Sequence, residues 1–154
     1  MVLMAITTGA RQGELLRLRW CDIRFTEKRA YVEHTKNGEP RVLPLVEGVI
    51  VELKALARPI NADELIFPSE RAPGKSFEFR KHWIEARDEA NLENFRFHDL
   101  RHTCASYLAQ KGATLLEIAD VLGHKQLEIT KRYAHLCVDH KQDLVNRIMG
   151  GLSW

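Results

Sequence analysis

The chain has 154 residues, of which 45% are hydrophobic and 29% are charged. This balance predicts one soluble globular domain and excludes a disordered tail or a fibre, and the lack of an apolar run near ~20 residues excludes a membrane span. The three cysteines are widely separated, which favours a reduced, cytoplasmic protein over a disulfide framework or a cysteine zinc site. The net charge of +2 is too small to indicate nucleic acid by itself, so a DNA-binding hypothesis must rest on the positions of individual basic residues.

The residue pattern predicts a mainly helical protein with one small antiparallel sheet, an α+β fold. The sheet is indicated by strand-like residues on either side of Asn37-Gly38, a dipeptide typical of tight hairpin turns because both central positions require positive φ. In chain order, the predicted elements are helices over 1–8 and 13–18, strands over 22–25, 30–34 and 41–43, a helix over 46–57, a loop over 58–75, and helices over 76–91, 98–111, 114–122, 126–134 and 139–149.

The helix predicted over 98–111 places polar and apolar residues on different faces. Successive helical residues turn by about 100°, so four of its residues share the side that we expect to face the core: Leu100, Cys104, Tyr107 and Leu108. His98, Arg101 and His102 share the opposite side. A solvated polar face is the simpler interpretation of these three residues, and a functional cluster is the alternative.

Other candidate functional residues lie beside predicted turns and helix ends. Arg11 lies between the first two helices with Glu14 three residues later, which fits either a surface ion pair or an arginine held in place to clamp a phosphate. Lys36 adjoins the hairpin turn, where most lysines are only solvated. His124 follows the glycine that ends the helix predicted over 114–122. Tyr133 lies within the helix predicted over 126–134, where a tyrosine is usually part of the core.

Taken together, segments of the chain resemble, in order, the signature segments of the tyrosine recombinases, the phage-integrase-type enzymes. They run from Thr7 to His135 and read TTGARQGELLRLRW, TKNGEPRVLPL, FHDLRHT and LGHKQLEITKRYAH. The resemblance implies the catalytic-domain fold of that family and a site-specific DNA recombinase or integrase. Such an enzyme cleaves and rejoins DNA through a 3′-phosphotyrosyl intermediate, without metal, cofactor or ATP. The implied catalytic residues are Arg11, Lys36, His98, Arg101, His124 and Tyr133, with Glu14, His102 and His135 as supporting residues.

The chemistry explains why arginines and a tyrosine are needed. Arg11 and Arg101 offer planar, permanently charged donors suited to an anionic phosphate and to the charge that develops in the transition state. The resemblance makes Tyr133 the nucleophile, and its ordinary pKa of about 10 leaves it protonated at neutral pH. We therefore expect the arginine field to favour its ionised form, and His98 to accept its proton or orient it.

The remaining implied roles concern the leaving group and the DNA itself. Lys36 is the implied general acid for the leaving 5′-oxygen, and His124 is implied to hydrogen-bond a phosphate oxygen. Metal-dependent nucleases gather several carboxylates around their ions, whereas this set contains only Glu14, so no metal is expected. Double-stranded DNA is the expected partner, and the residues expected to contact it are Arg11, Lys36, Arg101 and His124.

Other functions remain open at this point. A metal-dependent hydrolase could use His98 and His102, whose i, i+4 spacing suits two ligands, but the glutamate of an HExxH motif is missing and Arg101 would lie beside the cation. A non-catalytic DNA-binding relic could keep the same signature segments. Type IB topoisomerases share the implied chemistry, but the LGH and RYAH segments favour a recombinase.

The resemblance covers most of the chain, which we expect to form a single catalytic domain over 1–154. Family members carry a DNA-binding domain and a further helix ahead of the first segment, which here begins at Thr7, so we expect both to be absent. We expect a monomer for this chain alone, a tetramer on DNA for the full-length protein, and a bacterial or phage origin. The tail 139–154 carries an apolar stripe that docks either onto a neighbouring subunit or onto its own domain: Leu144, Val145, Ile148, Met149 and Leu152.

Overall fold

The structure is a computed structural model that describes residues 1–33, 38–56, 59–72 and 74–151, without the side chains of 138–143. Eight α-helices and three strands are present in the described part of the chain. They are α1 (Val2–Thr8), α2 (Gln12–Arg17), β1 (Ile23–Arg24), β2 (Arg29–Val32), β3 (Arg41–Pro44), α3 (Glu47–Ala55), α4 (Phe79–Glu89), α5 (Asp99–Gln110), α6 (Leu115–Leu122), α7 (Leu127–Thr130) and α8 (Val138–Met149). The mainly helical fold with a small antiparallel sheet is therefore confirmed.

The junction between α1 and α2 is set by local chemistry. Helix α1 ends at Gly9, whose φ of 62° is a left-handed conformation that glycine adopts without a steric penalty. Helix α2 begins after Arg11, whose backbone N–H donates to the Glu14 carboxylate at 2.9 Å. That carboxylate satisfies one of the amide groups that a helix start leaves without a partner. Arg11 is thereby fixed at a defined point between two helices.

The sheet has the strand order β1-β2-β3 with antiparallel pairing throughout. Ala30 pairs with Leu43, and both are fully buried, whereas Val42, the residue before Leu43 on the same strand, is exposed. This alternation follows from the two-residue period of a strand and leaves one face of the sheet on the core. β2 ends at Val32, short of the predicted residue 34, and the predicted turn residue Asn37 lies outside the described residues.

Helix α5 lies between two groups of buried apolar side chains. Leu100 belongs to the group that includes the sheet and α3, and Ala105 and Ala109 belong to the group formed with α6 and the segment after α7. Because α5 contacts α1 on one side and later elements on another, most of its circumference is buried. Two expectations were therefore wrong: Arg101, expected opposite the core, is only 3% exposed, and Tyr107, expected in the core, is 59% exposed.

The predicted helix over 126–134 is not continuous. Helix α7 covers only Leu127–Thr130, and a 3₁₀ helix over Lys131–Cys137 follows it and carries Tyr133. Over so few residues, an apolar pattern cannot separate a period of 3.0 from one of 3.6, which explains the error. Two further helices are shorter than predicted: α3 ends at Ala55, and α4 begins at Phe79. None of the helices among the described residues has the length and apolarity to cross a membrane.

Candidate active site

One buried carboxylate lies beside two guanidinium groups at the centre of the site. The side chain of Glu14 is 3% exposed, and its Oε1 accepts a hydrogen bond from Nη1 of Arg11 at 3.0 Å. Its Oε2 lies 3.6 Å from Nη1 of Arg41, on strand β3. A carboxylate removed from water is stable only when it is paired in this way. Glu14 therefore fixes two arginines from different elements.

Arg101 adds a third guanidinium group, from helix α5, and its side chain is buried. Its Nη1 donates to the carbonyl oxygen of Gly9 at 2.6 Å. Its Nη2 is buried and has no hydrogen-bond partner among the described residues. Burial, followed by the positive charges of Arg11 and Arg41, lowers the pKa of Arg101 to about 10. The group is still charged at neutral pH, and an incoming anion would relieve both its unpaired donor and its repulsion from its neighbours.

Tyr133 lies against the histidine side of helix α5. Its hydroxyl oxygen is 2.6 Å from Nδ1 of His102, and the ring of His98 meets the ring of His102 edge-on at 5.2 Å between centroids. Burial, followed by the charge of Arg132, lowers the pKa of His102. The His102 ring is therefore neutral near pH 7, and its Nδ1 can accept the hydrogen bond that the tyrosine hydroxyl donates.

The pKa of Tyr133 is raised on balance, although the arginine charges act in the direction that was expected. Tyr133 is 5% exposed, and burial raises the pKa of its hydroxyl, although Arg132 and Arg101 act in the opposite direction. In this conformation desolvation outweighs the arginine field, so the phenol is protonated. The partner that orients it is His102 rather than His98. Partial burial, followed by the neighbouring charges of His102 and Arg101, lowers the pKa of His98.

His124 occupies the loop after α6. Gly123 ends that helix with a φ of 66°, and the next residue, His124, places its Nδ1 2.8 Å from the hydroxyl of Thr130, which is fully buried. Burial, followed by the charges of Arg101 and Arg11, lowers the pKa of His124 to about 4. The ring is therefore neutral at physiological pH and acts there as a hydrogen-bonding group without a charge.

A cavity of about 210 Å³ lies beside these groups, and its lining includes the basic residues Arg11, Arg41 and Lys125, the His124 ring and the carboxylates Glu39 and Asp120. The guanidinium group of Arg11 and the neutral imidazole of His124 are suited to bind a phosphate there through hydrogen bonds. Among the residues that the structure describes, no group of three or more His, Cys, Asp or Glu side chains is arranged to hold a metal ion.

Comparison with known proteins places the chain in a family. The model of the phage integrase family matches residues 1–140. The chain belongs to the phage integrase family. Over 134 residues it is 35% identical to the shufflon-specific DNA recombinase of Escherichia coli, covering 86% of this chain and 33% of that protein. The chain spans between 33% and 52% of the length of that protein and three further curated relatives.

Solved structures support the same fold. The catalytic domain of bacteriophage HP1 integrase matches 99% of this chain and 83% of that chain, with a TM-score of 0.71 and 25% identity. The XerH site-specific recombinase, solved bound to a palindromic difH substrate in a post-cleavage complex, matches 94% of this chain and 44% of that chain. Its TM-score is 0.73 and its identity 23%. The phage integrase fold is therefore shown for this chain.

This phage integrase family member brings together most of the residues that its sequence singled out. Those that lie close to one another around the cavity and helix α5 are Arg11, Glu14, His98, Arg101, His102, His124 and Tyr133. Lys36 lies outside the described residues. His135 is exposed on the 3₁₀ helix and makes no hydrogen bond with the described part of the chain.

Two site residues were missed in the sequence. Arg41 is a strand arginine inside the quoted segment TKNGEPRVLPL, and its residue type alone does not distinguish it there from a solvated basic residue. Thr130 precedes Tyr133 by three residues and forms the hydrogen bond to His124. The only sequence signal for Arg41 is that its strand neighbours Leu43 and Leu45 alternate with it, which places all three on the inward face.

Proposed function

We propose that this chain is the catalytic domain of a tyrosine-type site-specific DNA recombinase. The observation that carries the proposal is the position of Tyr133: the tyrosine of the matched family segment lies 2.6 Å from His102 and within the field of Arg101. A buried tyrosine hydroxyl usually has a hydrogen-bond partner, but an imidazole partner together with the charges of Arg132 and Arg101 is the combination that a tyrosine nucleophile requires. The bacterial recombinase relative and the DNA-bound fold neighbour support DNA as the substrate.

The first part of the proposed mechanism is phosphate binding. Arg11 and Arg101 donate hydrogen bonds to the non-bridging oxygens of one DNA phosphate, and His124 donates a further one. These groups are fixed by protein contacts before DNA arrives, so little reorganisation is needed when charge develops on the phosphate. Removing one comparable donor from an oxyanion site costs about 2.7–4 kcal/mol of transition-state stabilisation.

The second part is the transfer reaction. The Tyr133 oxygen forms a bond to phosphorus, the bond from phosphorus to the 5′-oxygen breaks, and a 3′-phosphotyrosyl link results. The phenolic proton leaves toward His102, with His98 beside it, and the 5′-oxygen takes a proton from Lys36. Attack by a 5′-hydroxyl from another strand reverses both bond changes. Because the energy of the broken phosphodiester bond is kept in the phosphotyrosyl bond, the scheme does not require ATP. No metal is part of the scheme either.

The proposal is tested by trapping the covalent intermediate. The protein is incubated with nicked duplexes of mixed sequence, in which the short 5′-hydroxyl fragment diffuses away after cleavage, and the products are separated on a denaturing gel. We expect an adduct in the presence of a chelator for the wild type. Tyr133→Phe should form none, and Arg101→Ala should form at least a hundredfold less.

Tyr107→Phe is the matched control, because Tyr107 is an exposed tyrosine on helix α5, away from the cluster. It should form the adduct at the wild-type rate. An adduct that survives in Tyr133→Phe would assign the nucleophile to another residue. A folded wild-type protein that forms no adduct on any duplex would refute the proposed activity.

We also propose that the proteins assemble on DNA through helix α8. Three of its described apolar side chains are exposed, with values of 53% for Val145, 58% for Ile148 and 43% for Met149, and Leu144 is partly buried. The part of the apolar face formed by these three residues is available to a neighbouring subunit. We expect Val145→Ser/Ile148→Ser to keep the melting temperature and to lose the larger complex on DNA in a sizing experiment. An unchanged complex would refute docking through this face.

A further inference from the structure

Arg41 makes an unusual number of contacts for a strand arginine. Its side chain is 10% exposed. Nη1 donates to the carbonyl oxygen of Leu122 at 2.6 Å, and Nη2 donates to the carbonyl oxygens of Val121 at 2.7 Å and of Thr8 at 3.3 Å. The guanidinium group therefore joins the end of α1, the end of α6 and strand β3.

These contacts satisfy carbonyl groups that a helix end leaves free. The last carbonyls of α6 have no partner within the helix, and a cation at this end also interacts favourably with the helix dipole. Burial lowers the pKa of Arg41, and the carboxylate of Glu14 acts against that shift. Removing the charged guanidinium group of Arg41 from water is costly, and its partners on α1, α2 and α6 stabilise it there.

The loop that follows α6 begins against the same side chain. A Cβ atom built on Gly123 would lie 3.0 Å from Nη1 of Arg41 and 3.2 Å from its Cδ. Because the guanidinium group packs against Gly123, it fixes the start of the segment whose next residue is His124. Through Glu14 it is also tied to Arg11, on the other side of the cavity.

We propose that Arg41 is a positioning residue for strand cleavage, which holds His124 at its distance from Arg11 and Arg101 without itself contacting DNA. The inference rests on the proposed function for the reaction affected, but the contacts belong to the free protein. All of the hydrogen bonds described for Arg41 go to protein carbonyls. Its Nε has no partner among the described residues, but that atom is buried and the side chain as a whole is 10% exposed. Arg11, whose side chain is 23% exposed at the cavity, is more open to a phosphate.

The first test uses the free protein and NMR titration of the histidine rings. In Arg41→Gln the pKa of His124, about 4 in the wild type, should rise measurably, because the ring loses both its fixed position and one nearby positive charge. Arg29→Gln is the control, since Arg29 is an exposed arginine on the neighbouring strand β2. An unchanged pKa for His124 in a folded Arg41→Gln protein would overturn the inference, whether or not the chain cleaves DNA.

The second test measures adduct formation and DNA binding on the same nicked duplexes. Arg41→Gln should lower the cleavage rate at saturating DNA at least tenfold and leave the salt dependence of binding unchanged. A residue that neutralises a phosphate would instead reduce that slope by about 0.9. A wild-type cleavage rate would overturn the proposal, and so would a reduced salt slope, because the slope would make Arg41 a DNA contact.

Arg41→Lys separates geometry from charge and provides a variant that is expected to fold. It keeps the positive charge near Glu14, but one ammonium group cannot reach Thr8 and both α6 carbonyls together. We expect only partial recovery of the rate, and full recovery would overturn a geometric role. If the wild type itself forms no adduct, the proposed function fails, and the His124 titration still decides the role of Arg41.

Discussion

Replacing Gly9 by alanine should destabilise the protein by an amount that the structure allows us to work out. Gly9 has a φ of 62°, a left-handed conformation that costs an alanine about 1–2 kcal/mol. The added Cβ would lie 2.3 Å from Cδ2 of the fully buried Leu122, far inside the ~3.5–4.0 Å of a normal carbon contact. Overpacking of this kind costs about 1–3 kcal/mol. The two effects together predict a loss of about 2–5 kcal/mol.

The assay is equilibrium unfolding in urea, followed by circular dichroism, with Gly13→Ala as the matched control. Gly13 lies in helix α2, and the nearest atom to its added Cβ is Nη2 of Arg17, at an ordinary 3.7 Å. Alanine there should be stabilising by about 0.5–1 kcal/mol, because it loses less backbone entropy than glycine in a helix. If Gly9→Ala were as stable as Gly13→Ala, the steric and conformational argument would be refuted.

Three further predictions concern the same site. Lowering the pH from 7 to 5 should reduce the free energy of unfolding by roughly 1–2 kcal/mol through His124. The reason is that the His124 ring takes up a proton near pH 6.5 in the unfolded chain but only near pH 4 in the folded protein. In urea titrations, His124→Asn should therefore show a shallower dependence of stability on pH. Glu14→Gln should cost about 3–5 kcal/mol of stability, because the guanidinium groups of Arg11 and Arg41 lose the carboxylate that pairs with them. Glu47→Gln, at an exposed ion pair, should leave the urea midpoint nearly unchanged. Equal effects of the two substitutions would contradict the prediction. Leu122→Ala should cost about 2–5 kcal/mol of stability. The double variant with Gly9→Ala should lose less than the sum of the two single losses, since the shorter side chain at position 122 removes the clash with the added Cβ atom. Strict additivity would show that the two residues are not in contact.

Local chemistry made much of the fold predictable from the sequence. Gly9 and Gly123 end helices because both adopt left-handed conformations, and these positions were identified from glycine alone. Helix boundaries set by caps and turns could be located within a few residues. Long-range burial could not, because it depends on how many elements surround a helix. Tyr107 and Arg101 show this: each was assigned to the wrong environment when α5 was treated as having one buried face.

The candidate site was predictable where a family segment identified residues, and unpredictable where only tertiary contacts define a role. Tyr133 and His102 could be named from their segments, but not the hydrogen bond between them, since 31 positions separate them in sequence. Arg41 was missed because its hydrogen-bond partners lie 33 to 81 positions away. The balance between desolvation and arginine charges at Tyr133 also required the structure, because a sequence does not give burial.

The bond between Arg101 and the carbonyl of Gly9, which joins positions 92 apart in the chain, has a consequence for how the protein is made. Translation proceeds from the N-terminus, and a domain folds as a unit once its parts have emerged. The segment with Arg11 is therefore synthesised well before helix α5 and long before Tyr133. On the proposed mechanism, a nascent or prematurely terminated chain carries cationic groups but no nucleophile. On that mechanism the domain must be complete before it can form a phosphotyrosyl link, and the bond between Arg101 and Gly9 forms only after helix α5 has been made.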